Sequence, residues 1–569
     1  MKRTHTLSYL ITILLLIPFT RFSQQASSGE LSRIMQKELG REMNALSREE
    51  FPAYFMVYKV LEQRSITVNA SFGSVLTAEI DSVRAFSASV RVGSYELDNT
   101  HALPGESYNM SEPVTADLPW SNDEQLLQLE MWNATAKAYK DSKKQYQSVL
   151  DAQKDEGFKR DADDFSRAEP VEYVEAPVNT SFDNAMLKEW KERTKEISSL
   201  FLEDTSFLAG TVVFAASNGR EYMVTSEGQH IVQNKQVSTV LVMGLMRTDD
   251  NQAVVDMRTF SANSPSELAS QEEIKKQVLE MIAILKQLKN SPIADSYSGP
   301  AVLSPQAAGV FFHEIFGHRA EGHRLGDNSD SQTFGNKVGK SVLPRYFNIT
   351  FDPTVTEYNN QHLTGSYRYD DEGVAAQRVR VVESGILRNF LMSRKPVKGF
   401  SNSNGHGRSM TGMNAVSRQS NMFVEAEKTF SESDLRKKLI AECRRQKKDY
   451  GYYFNQVSGG LTLNSVYMPN VFTVFPTEIY RVYTDGRPDE LVRQVSLIGT
   501  PLTMFSEIEA AGDKPELFLG FCGAESGSVP VTIVCPSILV NKIETQKTPE
   551  YHLDRTILAR PSCETIKAN

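Results

Sequence analysis

The feature that most constrains this chain is a run of reactive side chains that directly follows an apolar segment. Residues 311–323 read Phe-Phe-His-Glu-Ile-Phe-Gly-His-Arg-Ala-Glu-Gly-His and hold three of the nine histidines. Histidine offers neutral nitrogen ligands to a borderline metal such as zinc, and a neighbouring glutamate offers a base. The stretch therefore predicts a metal site at the end of a buried helix.

The spacing of the first two histidines differs from the H-E-x-x-H motif, in which the histidines are four residues apart on one helix face. His313 and His318 are five residues apart, so on a regular α-helix their directions diverge by roughly 140°. They can share one ion only if the helix is bulged or broken between them. Gly317 is the predicted point of distortion, because glycine tolerates irregular backbone and a five-residue step matches one π-type turn.

Two nitrogen ligands require a third protein ligand if the fourth position is to stay open for water. His323 is the nearest candidate in the chain, and His362, His406 and the cysteines are alternatives. Among the cysteines, Cys522 is the best placed, because its flanking glycines allow close backbone approach in a turn before an apolar strand. An ordinary polar patch is the plainer interpretation, but buried imidazoles and a carboxylate would then need other partners.

The first 23 residues have the pattern of a secretory signal peptide. Lys2 and Arg3 precede an apolar run at 7–19, which is followed by small polar residues. The run is too short to span a bilayer, so we expect cleavage near Ser23, no membrane insertion of the mature chain, and a secreted or periplasmic location. Removing this segment makes the net charge more negative than −9, which argues against a nucleic-acid partner.

Cysteine use is sparse for an exported chain. The four cysteines are Cys443, Cys522, Cys535 and Cys563. An even number invites a disulfide interpretation, but four in a chain of this length do not form a disulfide scaffold. Pairing among Cys443, Cys535 and Cys563 is left open, and a disulfide at Cys522 would prevent it from binding a metal.

The length and the periodicity of the chain predict an α+β fold with more than one domain. Alternating β-branched segments between Tyr54 and Val92 indicate an antiparallel sheet in an N-terminal α+β domain at 24–262, with a helical insertion at about 120–205. A connecting helix is expected at 263–292, with Ser264 as its N-cap and Pro265 at its first position. Residues 293–569 are expected to form a β-rich C-terminal domain that carries the histidines.

Four motifs in order resemble the TldD/PmbA metalloprotease family. They are HEIFGHRAEG from His313, YDDEGVAAQR from Tyr369, NGHGR from Asn404 and CGAESGSVPV from Cys522. The resemblance is dense from about residue 295 to 545 and diffuse before it. Because H-E-x-x-x-H is intact, the chain resembles the TldD-like catalytic branch of the family rather than the PmbA/TldE-like branch, which lacks this motif.

The resemblance implies a zinc-dependent metallopeptidase. By this resemblance zinc is held by His313, His318 and Cys522, and Glu314 is the general base for a zinc-activated water. Peptides or unfolded segments would bind as extended strands, and the expected partner is a second copy of the chain or a PmbA/TldE-like paralogue. The alternatives are a non-catalytic peptide-binding or assembly subunit of such a complex, and a hydrolase that acts on another bond.

Three features depart from the family pattern. His323 stands where TldD-like sequences usually have aspartate, so it could perturb or join the site. Residues 120–205 are richer in helical sequence than the family leads us to expect and are candidates for a lid or a partner surface. The signal peptide predicts that this member lies outside the cytoplasm. The familiar members of the family work inside the cytoplasm.

Overall fold

The structure is a computed structural model and describes residues 28–104, 112–155, 157–158, 160–178, 181–326, 332–463 and 471–548. The predicted signal peptide at 1–23 and Cys563 lie outside these residues. Within them, no helix combines the length and the apolar character needed to cross a membrane.

The first part of the chain forms one mixed, mostly antiparallel sheet. Its strands run in the order β3-β2-β1-β5-β6-β4, and β7 pairs with β6 beyond the end of β4. Four of the strands are 19 residues long, and side chains alternate between the core and the surface along much of their length. The strands are β1 Ala53–Ser71, β2 Ser74–Val92, β3 Val114–Asp117, β4 Val171–Val174, β5 Phe207–Thr225, β6 Gln229–Arg247 and β7 Ala253–Ala262.

Four helices cover this sheet and bury two separate clusters of apolar side chains against it. Helices α1 and α2 pack on one cluster, around Tyr58 and Phe86, and α3 and α4 pack on the other, around Trp190 and Phe214. The helices are α1 Ser28–Leu46, α2 Glu124–Ala152, α3 Asn184–Ser199 and α4 Gln271–Leu288, with a 3-10 turn at Leu200–Glu203. Two of them, α2 and α3, lie in the segment predicted as a helical insertion.

Helix α4 starts later than the sequence predicts. Ser264-Pro265-Ser266-Glu267 forms a separate 3-10 turn, Pro265–Glu267, and the N-cap of the α-helix is Ser270, whose hydroxyl accepts from the Glu273 amide. The predicted N-cap was therefore wrong, because a second serine, followed by two glutamates, offers a competing helix start. The predicted apolar stripe from Ile274 to Leu288 is buried as expected.

The second part of the chain contains two larger sheets. A six-stranded sheet has the order β13-β12-β9-β16-β24-β23, and an eight-stranded sheet has the order β17-β22-β25-β21-β19-β18-β8 with β20 beside β19. In the second sheet β8 also pairs with β25, so β8, β18, β19, β21 and β25 close into a ring. The β-rich C-terminal domain predicted from the sequence is confirmed. The limits predicted for the domains stay predictions, since the end of a strand does not by itself define a folding unit.

The strands of this part are β8 Tyr297–Leu303, β9 Phe347–Phe351, β10 Glu357–Tyr358, β11 Gln361–His362, β12 Val379–Glu383, β13 Ile386–Leu387, β14 Gly407–Arg408, β15 Val416–Ser417, β16 Asn421–Ala426, β17 Thr429–Phe430, β18 Tyr450–Leu463, β19 Val471–Tyr483, β20 Glu490–Val492, β21 Val495–Gly499, β22 Ile508–Gly512, β23 Glu516–Ala524, β24 Gly527–Cys535 and β25 Ile538–Lys547. The helices are α5 Pro305–Ile315, α6 Glu432–Arg445 and α7 Pro501–Ser506, and 3-10 turns lie at Gly317–Arg319 and Gly322–Gly326.

Helix α5 lies between these two sheets. The Phe311 ring packs on Phe472 of β19, with ring centroids 5.8 Å apart, and the Phe312 ring packs on Phe347 of β9 at 6.2 Å. Phe311 and Phe312 are neighbours on the helix, so one turn of α5 buries aromatic surface against both sheets. The end of α5 is thereby fixed relative to β18 and β23, which also contact the helix.

The core beneath α3 provides a test of this packing. Trp190 is buried and stacks on Phe214 with ring centroids 3.7 Å apart, whereas Trp132 on α2 is 45% exposed. Trp190→Ala is expected to lower the free energy of unfolding by about 3–5 kcal/mol, because it leaves a cavity. Trp132→Ala serves as the control and is expected to cost less than about 1 kcal/mol. Urea denaturation followed by circular dichroism measures both, and equal destabilisation would contradict the assignment of Trp190 to this core.

Candidate metal centre

Helix α5 ends between the two histidines. Its last residue is Ile315, and a 3-10 turn over Gly317–Arg319 follows. The Ala320 amide donates to the carbonyl oxygens of both Phe316 and Gly317, each at 3.0 Å. The predicted distortion near Gly317 is confirmed, but it is a helix end that tightens into a 3-10 turn and not the π-type turn that the spacing indicated.

Glycine at 317 leaves space for the buried side chain of Gln419. A Cβ atom there would lie 1.9 Å from Oε1 of Gln419, a distance that no real contact allows. The Gln419 side chain also donates through Nε2 to the carbonyl oxygen of His313 at 3.4 Å. The amide of Gln419 therefore occupies the place of a side chain beside the helix end.

Arg319 satisfies the end of the helix. Its Nη1 donates to the carbonyl oxygens of Glu314 at 2.8 Å and Ile315 at 3.1 Å. The last carbonyls of a helix have no partners within the helix, and a cation there is favoured by the helix dipole. The buried guanidinium therefore stabilises the helix end that presents the first histidine.

This chain path brings His313, His318 and Cys522 together. One potential ligand atom from each lies within 4.8 Å of the other two. The Sγ atom of Cys522 is 3.5 Å from Nε2 of His318, and the two imidazole centroids are 5.0 Å apart. All three side chains are buried. Cys522 comes from β23, so the third position of the cluster is supplied by a strand of the six-stranded sheet.

The electrostatics of the cluster favour the thiolate of Cys522. Burial raises the pKa of this thiol, but the imidazoles of His318 and His313 outweigh burial and hold the pKa well below its usual value. Burial likewise lowers the pKa of His318, and the negative charges of Cys522 and Glu321 reverse this effect and raise it well above the usual value. The thiolate is the form of cysteine that binds metals.

Glu321 orients the second imidazole. Its Oε2 atom lies 3.1 Å from Nδ1 of His318, which leaves Nε2 directed at Cys522. Burial raises the pKa of this carboxyl, but His318, Arg324 and Arg418 outweigh it and hold the pKa at about 2. A buried carboxylate behind a histidine is the usual way in which proteins orient a metal ligand. No motif in the sequence marks Glu321 as part of the site, although its position three residues after His318 is a usable signal.

A second residue that the sequence did not reveal is Arg418. Its buried guanidinium donates to the Cys522 carbonyl oxygen at 2.5 Å, the Ser526 hydroxyl at 2.6 Å and the Gly527 carbonyl oxygen at 2.9 Å. Its Nε lies 3.7 Å from Glu321. One side chain thus connects the hairpin that carries Cys522 with the carboxylate that orients His318. No local motif marks it, because its partners are about 100 residues away in either direction.

Glu314 lies beside the cluster on the ligand side of His318. Its Oε2 is 4.0 Å from Nε2 of His318, and the side chain is buried. The carboxylate packs over β18 at Gly460, where a Cβ atom would lie 2.5 Å from Glu314 Cγ. The glycine in β18 therefore provides the space that lets the carboxylate sit next to the three candidate ligands.

The other candidate third ligands lie elsewhere. His323 forms a 2.5 Å contact through Nε2 with Oε1 of Glu525. His406 is buried with Nε2 3.1 Å from the Ser420 hydroxyl, and burial lowers its pKa to about 3. His362 lies 3.5 Å from Glu267.

Of the described residues, only the group of His313, His318 and Cys522 brings three His, Cys, Asp or Glu side chains close enough to hold one ion. The three described cysteines are free.

Two further motifs, at 369–378 and 404–408, form contacts that stabilise the backbone around the site. Asp371 accepts from Lys235 of β6 at 2.9 Å, and its carbonyl oxygen accepts from Lys59 of β1 at 2.5 Å. Arg408 donates to the carbonyl oxygens of Gln419 at 2.5 Å and Pro530 at 2.9 Å. The first motif therefore joins the N-terminal sheet to the second half of the chain, and the second fixes the backbone at Gln419.

The cluster lies in the wall of a cleft of about 1580 Å³ between the two halves of the chain. Strands β7 and β23 border the cleft, and each lies at an edge of its sheet. The apolar side chains of Phe518, Phe521 and Leu461 line it, and Phe521 is 50% exposed. The cleft therefore combines unpaired strand edges with apolar surface next to His313, His318 and Cys522.

The donor set fits zinc. Two imidazole nitrogens and one thiolate are ligands that zinc accepts in open, tetrahedral sites. In addition, Nδ1 of His313 is buried and has no hydrogen-bond partner in the described part of the chain, which is costly for a polar atom unless something binds beside it.

Comparison with known proteins gives a consistent picture. Residues 296–547 match the model of the PmbA/TldA metallopeptidase C-terminal domain. A metalloprotease of Archaeoglobus fulgidus is 28% identical over 267 residues, which are 47% of this chain and 57% of that protein. A zinc metalloprotease TldD homolog of Saccharolobus solfataricus is 24% identical over 335 residues, 57% of this chain and 68% of that one. The chain spans little more than half of the length of the first of these relatives.

Solved structures share the fold over a larger part of the chain. TldE from Thermococcus kodakarensis has a TM-score of 0.58 at 14% identity and covers 90% of this chain and 100% of its own. A Thermotoga maritima protein has a TM-score of 0.59 at 16% identity, with the same coverage. The match to the domain model, the named relatives and the shared fold agree with the four motifs read from the sequence, and residues 296–547 belong to the TldD/PmbA family of metallopeptidases.

Proposed function

We propose that this protein is a zinc-dependent peptidase of the TldD-like catalytic branch. The observation that carries the proposal is the convergence of His313, His318 and Cys522, with the Glu314 carboxylate 4.0 Å from His318 Nε2, in the wall of a large cleft. The test is hydrolysis of an unstructured protein such as casein, with and without a chelator. Loss of cleavage on chelation and its return with zinc would support the proposal, and cleavage of simple esters alone would contradict it.

The residues divide the chemistry between them. His313, His318 and Cys522 would hold zinc, which as a Lewis acid lowers the pKa of water and polarises a carbonyl group. Glu314 accepts the proton of the attacking water and transfers it to the leaving amine. Its burial beside Gly460 keeps it in one position, so little reorganisation is needed at the moment of reaction. Glu321 and Arg418 position the ligands and do not touch the substrate.

The borders of the cleft favour an extended substrate. An edge strand presents unpaired backbone groups to which a peptide can add as a further strand. Strand β23 carries Cys522 and is an edge strand of the six-stranded sheet, so a peptide added to it would run directly past the candidate ligands. Backbone pairing is independent of side-chain identity, which suits peptides or unfolded segments of varied sequence.

We also propose a partner and a location. A second chain of the same fold is the expected partner, as a homodimer or a heterodimer with a PmbA/TldE-like paralogue, and the fold shared with TldE is what supports it. The proposed secreted or periplasmic location rests on the sequence of residues 1–23. Reduced cysteines are required for the site in that compartment, and the three described cysteines are free.

Glu314→Gln tests the base. The substitution keeps the shape of the side chain and removes its ability to accept a proton, so peptide cleavage is expected to fall by about 100-fold or more. Zinc content, measured by mass spectrometry of the purified protein, is expected to stay near one per chain. Glu280→Gln, an exposed residue of the same cleft on α4, is the matched control and should retain activity. Cleavage by the Glu314 variant at the control's rate would refute its role.

Cys522→Ser tests the third ligand. Serine is not ionised at neutral pH and is a poor zinc ligand, so zinc content is expected to fall well below one per chain. Cys443→Ser is the control, because Cys443 is buried in α6 and outside the cluster. If zinc is retained without Cys522 and lost in His323→Ala, then His323 is the third ligand and the assignment to Cys522 is wrong.

Glu321→Gln tests the positioning of His318. Loss of the negative charge behind Nδ1 is expected to weaken zinc affinity by about 10- to 100-fold without abolishing it. Competition with a fluorescent zinc chelator measures the change. Glu280→Gln is the matched control, since Glu280 is exposed in the same cleft and lies outside the cluster. Equal affinities in the two variants would show that Glu321 has no special part in holding His318.

A further inference from the structure

A second cavity lies in the C-terminal half of the chain and shares no lining residue with the cleft. Its volume is about 670 Å³, which is within the range of small-molecule sites. It lies between α6, α7 and the segment before β9, and the buried Phe505 ring forms part of its lining. The same ring packs on Phe312 and Phe316 at 6.3 and 6.0 Å, so this side chain contacts both the cavity and the segment that presents the candidate metal cluster.

One part of the cavity is positively charged. Lys337, Lys428 and Lys438 line it together with a single carboxylate, Glu509. The ammonium groups of Lys438 and Lys428 lie 4.3 and 5.6 Å from the centroid of the Phe430 ring. The structure records no ion pair for these three lysines within its described ranges. Three lysines and one carboxylate in the lining make this surface locally positive in a protein with a net charge of −9, and a positive surface attracts anions.

The other part of the cavity is apolar and also contains an unsatisfied hydroxyl group. Val342, Leu343 and Ile508 are buried side chains of the lining, and Leu502 is 39% exposed there. The Tyr346 hydroxyl, which also lines the cavity, is buried and has no hydrogen-bond partner among the residues that the structure describes. A buried polar atom without a partner is costly, so a ligand with an acceptor beside it would be favoured.

We propose that this cavity binds an anionic amphiphile, a molecule with one negatively charged head and an apolar tail. The head would lie near Lys428 and Lys438, whose ammonium groups both lie within 5.6 Å of the centroid of the Phe430 ring. The tail would contact Leu343, Ile508 and Phe505. A simple inorganic anion would leave this apolar surface uncovered, and a neutral lipid would leave the lysines unpaired, so the combination favours a molecule with both parts.

Isothermal titration calorimetry of the full chain with decanoate tests the proposal. Decanoate is expected to bind, and acetate, which lacks the tail, and 1-decanol, which lacks the charge, are each expected to bind at least tenfold more weakly. In the double variant Lys428→Gln, Lys438→Gln the affinity for decanoate should fall at least tenfold. Leu502→Glu places a negative charge at an exposed position of the lining and should have a similar effect without disturbing a buried side chain.

The matched control is Lys437→Gln combined with Lys542→Gln. These lysines are exposed, lie outside the cavity lining and change the net charge by the same amount, so decanoate affinity should be unchanged. Thermal unfolding of each variant confirms that it is folded. The proposal would be overturned if decanoate does not bind, if 1-decanol binds equally well, or if the double variant keeps full affinity for decanoate. Full affinity in the double variant would mean that the carboxylate binds elsewhere, for example at the candidate metal cluster.

Discussion

His313 and His318 are five residues apart in the chain but lie in one buried cluster, and this proximity constrains the structure around them. A continuous α-helix would direct His313 and His318 away from each other, so α5 has to end between them. Ending a helix inside a closed core leaves carbonyl groups without partners, and Arg319 supplies those partners. The tight turn that follows has no room for a side chain at Gly317, because Gln419 fills that space.

The cluster also depends on two buried charges that hold it from behind. Glu321 fixes the ring of His318, and Arg418 fixes the backbone of the hairpin that carries Cys522. The two charges are themselves neighbours, 3.7 Å apart. Buried charges are stable when they are paired and hydrogen-bonded, so this pair serves the fold and at the same time sets the relative position of His318 and Cys522, two candidate ligands that are 204 residues apart in the chain.

The remaining architecture gives the cluster its surroundings. Helix α5 packs between two sheets through Phe311 and Phe312, so contacts with both sheets fix the position of its end. The N-terminal sheet is attached through Asp371 to Lys59 and Lys235, and its edge strand β7 faces the edge strand β23 across the cleft. The cleft thus lies between two sheets that are joined by these ionic contacts and by apolar packing, which includes Leu491 in the core beneath α3 and α4.

The sequence by itself determined the break near Gly317 and the buried stripe of α4, and it predicted a metal site at 313–318, since each depends on residues close together in the chain. It named Cys522 through resemblance and left His323 open on spacing alone. Only the tertiary structure decided that His323 contacts Glu525, that Ser270 is the N-cap of α4, and that Glu321 and Arg418 contact His318 and Cys522. These outcomes depend on contacts between distant segments, whose geometry is set by the packing of the sheets and leaves no periodic signal in the sequence.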